Sequence, residues 1–198
     1  MTLALEVLNM GEKVDNLDLK IIHQLQSNGR ISITELADNI HSSRPTITNR
    51  LKKLVDNDVV MVKGGLNISK FDFKMACIGL EVTDGTTLGE LESTMKCCPR
   101  VLNIYRTTDK ANIHITLWGE NDQTVNSTIE SYRGIPNVNV IYAHYLGTPI
   151  HGDIMIDICN TTGDLLPCGK KSCNCPRLDA GWCMGCPASK GYQSPVLV

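Results

Sequence analysis

The sequence predicts an α+β chain in three parts: a three-helix, winged helix-turn-helix unit, then a βαββαβ domain, then a small cysteine-rich tail. Three observations predict it. Capped amphipathic helical patterns fill the first third, alternating strand patterns interleave with two helical ones in the middle, and six of nine cysteines crowd into 28 residues near the end. The expected boundaries are 1–63 for the helical unit, 64–74 for a linker, 75–147 for the βαββαβ domain, 148–166 for a second linker and 167–198 for the tail.

In the first part, DNLDLKIIHQLQSNG puts Leu17, Ile21 and Leu25 on one helical face, with Asp15 as cap and Asn28-Gly29 as stop. The next helix opens at Ser32, whose hydroxyl can accept the third helical N–H while Glu35 reaches back, a capping box. Ile33, Leu36, Ala37 and Ile40 form its apolar face. Ser43 offers a further N-cap, and Pro45 sits in the first turn, where a missing N–H costs nothing. The third helix then buries Ile47, Leu51, Leu54 and Val55. Opposite lie Arg44, Thr46, Thr48, Asn49, Arg50, Lys52 and Lys53, four positive charges with no acid anywhere in 44–53. A second helix of this character, one tight turn after the first, is how a helix-turn-helix enters a DNA groove. Phosphates fall to Arg50, Lys52 and Lys53, and base edges to Arg44, Thr46, Thr48 and Asn49 near the helix start. VVMVKGGLNI then reads as a short extended wing or connector.

In the middle, MACIGLEV alternates as a strand. Thr87 to Glu90 offers another capping box for a helix that must end before Pro99. VLNIYRTT and ANIHITLWG are strands about a turn at Asp109-Lys110. A helix follows from about Asp122, closed by Gly134, and then a strand in NVNVIYAHYLG. The order is the ferredoxin-like split βαβ arrangement, with both helices on one sheet face. An open face bearing Cys77, His114, Trp118, Ile141 or Tyr145 calls for a partner sheet, hence a homodimer or higher homo-oligomer. His114 and His144 read as packed or interface residues, His151 as a remote ligand candidate, and Cys97-Cys98 as structural.

Composition narrows the classes. At 198 residues and 42% hydrophobic, the chain can bury a core. No run approaches the roughly 18 apolar residues of a membrane span, and 1–8 lacks the features of a signal peptide, so no membrane partner is expected and the expected compartment is the cytoplasm. The net charge of −2 gives no global pull on nucleic acid, leaving the local patch of the third helix to supply it. Ser/His/Asp groupings, phosphate-cradling glycine loops and suggestively paired carboxylates are all missing, so no enzyme is expected.

The helical unit and the element order through about residue 146 resemble the Lrp/AsnC family of transcriptional regulators. The likeness is carried by VDNLDLKIIHQLQSNGRISITELADNI and RPTITNRLKKLVDNDVV and covers roughly three quarters of the chain. It implies a dimer or higher multimer on palindromic double-stranded operator DNA, a second domain serving assembly and often small-molecule sensing, and Ser43, Arg44, Thr46, Thr48, Asn49, Arg50 and Lys53 facing the DNA. The family's Thr-Gly-x-x-Asp pattern near its amino-acid effector pocket corresponds here to Thr107-Thr108-Asp109-Lys110-Ala111, which lacks the glycine and the final aspartate. Some proteins of related architecture decarboxylate tetrapyrroles, which gives an enzymatic alternative.

The tail lies outside that plan. Its spacing is Cys168-x4-Cys173-x-Cys175-x7-Cys183-x2-Cys186, with Cys159 upstream. It loosely resembles small cysteine-rich modules of the CG…C..CP…CxGCP kind, with Ser172 where that pattern wants its inner cysteine. Too small and too rich in Cys, Gly and Pro for an apolar core, it needs a cross-link. The Cys183-x2-Cys186 spacing suits one metal, and four of the five cysteines, or Cys159 in place of one, make a site for zinc or an iron–sulfur cluster. Thiol–disulfide sensing and unreactive surface cysteines are the other readings.

Overall fold

In the computed structural model the described residues are 14–152, 154–157 and 176–193. They divide into two compact units, Met1–Lys63 and Gly64–Val198.

The first unit is three helices, α1 Asn16–Ser27, α2 Ile33–Ile40 and α3 Arg44–Asp56. Each starts where a side chain can satisfy exposed N–H groups. Asp15 accepts from the N–H of Leu17 and Asp18, and Asp18 returns a bond to the Asp15 N–H, a reciprocal box. Ser32 and Ser43 cap α2 and α3 by accepting from Glu35 and Thr46. The tight turn after α2 depends on His41 at φ 58°, a left-handed position that lets the Ser42 N–H reach the Ala37 carbonyl. Ile21, Leu36, Ala37, Ile47 and Leu54 meet in a closed core. Between Val59 and Gly65 no strand forms; the first strand begins at Leu66.

The second unit holds a four-stranded antiparallel sheet in the order β3-β4-β2-β5, from β2 Lys74–Val82, β3 Val101–Arg106, β4 Ile113–Gly119 and β5 Val138–Leu146. Helices α4 Gly85–Lys96 and α5 Asp122–Arg133 cover one face. The strand period of two sends Ala76, Ile78, Leu80, Ile113, Ile115 and Leu117 into the core beneath them, where Leu91, Met95, Val125 and Ile129 close it. The helix α4 starts earlier than the expected Thr87 box, because Asp84 takes the cap by accepting from the Thr87 N–H and hydroxyl.

Both expected linkers contain structure. Within 64–74, strand β1 Leu66–Asn67 pairs with β6 Met155–Ile156, and a 3-10 turn spans Ile68–Lys70. Apolar side chains decide this: Ile68, Met75, Trp118 and Ile156 bury together, with Phe73 stacked on Trp118 at 5.2 Å. This second layer covers one end of the sheet face that the helices leave bare. The segment 176–193, including the short helix α6 Pro176–Asp179, belongs to the same unit. Among the described residues no helix is long and apolar enough to cross a membrane.

Candidate DNA-reading surface and cysteine tail

Helix α3 presents Ser43, Arg44, Thr46, Thr48, Asn49, Lys52 and Lys53 to solvent while Ile47 and Leu54 are buried. The Ser43 hydroxyl caps the helix and lies 2.8 Å from the Thr46 hydroxyl, so both are partly engaged in holding the N-terminal turn. Lys52 pairs with Asp56 one turn on, an exposed pair that exchanges readily with solvent.

Arg50 is the exception to the expected face. Its guanidinium turns back to α1, 2.7 Å from the Asp15 carboxylate and 3.3 Å from that of Asp18. The Asp18 side chain is 7% exposed, so a charge held out of water finds its counter-charge there. The guanidinium expected to meet a phosphate is thus engaged, in the chain without DNA, in joining α3 to the capping box of α1. The Asp15 carboxyl is held below the usual carboxylate range, first by the Asp18 backbone N–H and further by Arg50 and the Leu17 N–H. The four charges of the sequence patch thus become three outward ones, Arg44, Lys52 and Lys53, near a clamp.

The open part of the second unit's sheet carries Cys77, Gly79, His114, Tyr142 and His144. The Tyr142 hydroxyl is 2.9 Å from His114 Nδ1, and its ring stacks on His144 at 4.8 Å. That ring lies across Gly79, where any Cβ would overlap it. Burial pushes the Tyr142 phenol up, and Cys77 beside it adds to the shift. Two residues expected on this open face are not open on it: Trp118 lies on the same face but is covered, and Tyr145 lies on the other. Trp118 is buried beneath the β1-β6 layer with its indole N–H donating to the Pro99 carbonyl at 2.8 Å. Tyr145 turns to α5 and donates to the Asn126 side chain at 2.8 Å, because the bulge between Gly79 and Leu80 resets the alternation of β5. At the turn matching the effector pattern, Thr107 bonds the Ala111 carbonyl with its hydroxyl and the Asn112 carbonyl with its N–H, closing a tight hairpin.

Of the proposed metal ligands, Cys183 and Cys186 are described and half-buried. Cys159, Cys168, Cys173 and Cys175 lie outside the described residues. Among the described residues, no group of three or more His, Cys, Asp or Glu is arranged to hold a metal. What the sequence did not foretell is how the tail is attached. Arg177 donates to the Ser127 carbonyl at 2.7 Å and the Met184 N–H donates to Thr124 Oγ1 at 3.2 Å, both onto α5. Arg100, 5% exposed, pairs with Glu120 at 3.0 Å and donates to the Gly185 carbonyl, midway between the two cysteines. The Tyr192 hydroxyl donates to the second Glu120 oxygen. Arg100 and Glu120 stand 20 residues apart at strand ends, and nothing in local spacing marks them as partners.

Comparison with known proteins agrees with this geometry. Residues 14–61 match the family described as winged helix-turn-helix DNA-binding. The chain is 26% identical over 145 residues to an uncharacterized HTH-type transcriptional regulator of Pyrococcus abyssi, covering 73% of this chain and 99% of the relative. Its fold is similar to that of LrpC of B. subtilis, at 19% identity and TM-score 0.58 over 71% of this chain and 99% of that one. It is also similar to a transcriptional regulator of Neisseria meningitidis solved as a complex with L-Met, at 19% identity and TM-score 0.60 over 74% and 97%. Over 73% of its length the chain is thus similar in sequence to helix-turn-helix transcriptional regulators, and its fold is similar to that of LrpC.

Proposed function

We propose that this protein is a sequence-specific DNA-binding transcriptional regulator that binds operator DNA as a dimer or higher homo-oligomer. The observation that carries the reading is the outer face of α3, exposed, free of acids from Arg44 to Lys53 and held on a capped three-helix core. In this reading Arg44, Thr46, Thr48 and Asn49 meet base edges at the helix start, and Lys52 and Lys53 meet phosphates. One recognition helix with three outward positive charges on a chain of net charge −2 is a weak binder alone. The bare sheet face around Tyr142, His114 and His144 supports pairing of two copies, which would double the contacts. The test is fluorescence anisotropy with operator DNA enriched from a random pool, titrated with salt. Equal affinity for the enriched and random duplexes would overturn the proposal.

What the regulator senses is a second proposal. The tail's Cys183-x2-Cys186, with two more thiolates from Cys168, Cys173, Cys175 or Cys159, suits a zinc ion or an iron–sulfur cluster. DNA affinity would then follow metal or redox state. The L-Met complex of the Neisseria regulator supports a small-molecule effector as the rival signal, with the tail as a structural element. Comparing operator affinity of metal-free and zinc-loaded protein, each with and without L-Met, separates the two. The match to named regulators leaves the tetrapyrrole enzyme without support.

A further inference from the structure

We propose that the cleft between α5 and the tail binds a small planar aromatic anion, a ring carrying a carboxylate or a phosphate. The cleft encloses about 390 Å³, a volume within the range of small-molecule sites. One wall is a single side of α5, with Gln123, Asn126, Ser127 and Glu130 at helical spacing, and the other is Arg177 and Trp182 of the tail. Both walls belong to the second unit, and the site depends on neither the metal nor the DNA reading. The tail wall is held in place. The Arg177 guanidinium donates to the Ser127 carbonyl at 2.7 Å, and the Trp182 N–H donates to the Arg177 carbonyl at 2.7 Å, with Gly181 turning the chain between them at φ 72°. The Trp182 indole is nevertheless 63% exposed. A large ring fixed through its backbone and left open beside a cleft is a ready stacking face.

Charge and hydrogen bonding select the occupant. The cleft is lined by two charged side chains, Glu130 and Arg177. Glu130 is paired with Arg133 at 3.0 Å, whereas among the described residues Arg177 meets a carbonyl and no carboxylate. The charge left for a ligand is therefore positive. A guanidinium matches the oxygens of a carboxylate or phosphate, and the bond to Ser127 uses only part of its fork of donors. The Asn126 side-chain oxygen accepts from the Tyr145 hydroxyl at 2.8 Å, which leaves the amide N–H groups to donate to the ligand. A cationic ligand would meet the unbalanced Arg177, and an aliphatic anion would leave the indole face without a ring to stack on. A flat ring on Trp182 with its anionic group on Arg177 uses both.

The experiment is isothermal titration calorimetry of the full chain with adenosine monophosphate and with benzoate. Adenosine and benzamide serve as the uncharged analogues, and cyclohexanecarboxylate as an anion without an aromatic ring. The expected result is saturable heat with at least one of the two aromatic anions, and which one binds tells a phosphate from a carboxylate source. Its uncharged analogue, and cyclohexanecarboxylate, should bind more weakly. Trp182→Leu should weaken binding at least about fivefold, the low end of what stacking on an aromatic side chain contributes. Asn126→Asp keeps the oxygen that Tyr145 needs and sets a like charge beside the anion, so it should weaken binding as well. Trp182→Leu alters an exposed side chain and decides the matter alone if Asn126→Asp fails to fold. Heat that does not saturate with either aromatic anion overturns the proposal. Equal affinity for the uncharged analogue overturns the choice of an anion, and parental affinity in Trp182→Leu places the ligand elsewhere and overturns the site.

Discussion

Replacing Arg50 by Ala separates a clamp from a DNA contact. The substitution leaves the Asp18 carboxylate, 7% exposed, with the Asp15 backbone N–H at 3.1 Å as its neighbouring donor. A hydrogen bond to a charged group contributes about 1.5–3 kcal/mol. The Arg50 side chain is 39% exposed, so water replaces part of what is lost, and the exposed Asp15 contact adds little. The net expectation is a loss of about 1–2 kcal/mol from the helical unit, or roughly 5–10 °C in its melting temperature. Urea and thermal unfolding followed by circular dichroism give the number, and Asp18→Asn beside it closes a double-mutant cycle. On DNA, the slope of log affinity against log salt should stay that of the parent, whereas Lys53→Ala should flatten it by about 0.9 for each helix bound. An Arg50→Ala protein of parental stability with a flattened slope would refute the clamp.

Other outcomes follow from the same contacts. Asp15 and Asp84 both hold carboxyls below the usual range, Asp84 chiefly through the Thr87 N–H. The folded chain therefore binds fewer protons than the unfolded one. Their contribution is complete above the ordinary carboxylate pKa of about 4 and is lost as pH falls through the lowered folded values. The urea midpoint should fall on acidification, and a rise between pH 5 and 3 would contradict this. Gly79→Ala drives a methyl into the Tyr142 ring and the Ala111 side chain, and should cost about 1–3 kcal/mol by chemical denaturation; parental stability would show that the ring is not held there. Glu120→Ala strands the buried Arg100 and should cost about 3–5 kcal/mol, read as a lowered midpoint of the second unit. An unchanged midpoint would show that the pair is not buried in solution.

Most elements were legible because their signals are local. Asp15, Ser32 and Ser43 mark helix starts by chemistry acting within three residues, and the alternation of MACIGLEV or ANIHITLWG states which face is buried. What stayed hidden depends on pairs far apart in the chain. Arg50 meets Asp18 across 32 residues and Arg100 meets Gly185 across 85, so an arginine on a polar face read as a surface charge in one case and as nothing in the other. Two-residue strands such as β1 and β6 carry too few residues to show a period, so their segments read as linkers. Tyr145 was placed on the wrong face because a bulge, invisible in the sequence, shifts the alternation by one.

The central claim is that the exposed start of α3 reads bases. The most direct test is the affinity of Asn49→Ala for the enriched operator, for that operator changed at each base pair in turn, and for random duplex. The expected result is a loss of about 1–3 kcal/mol for the operator, with discrimination erased at one or two positions and random binding retained. An Asn49→Ala protein that still discriminates at every position, taken with an Arg44→Ala protein that does the same, would contradict it.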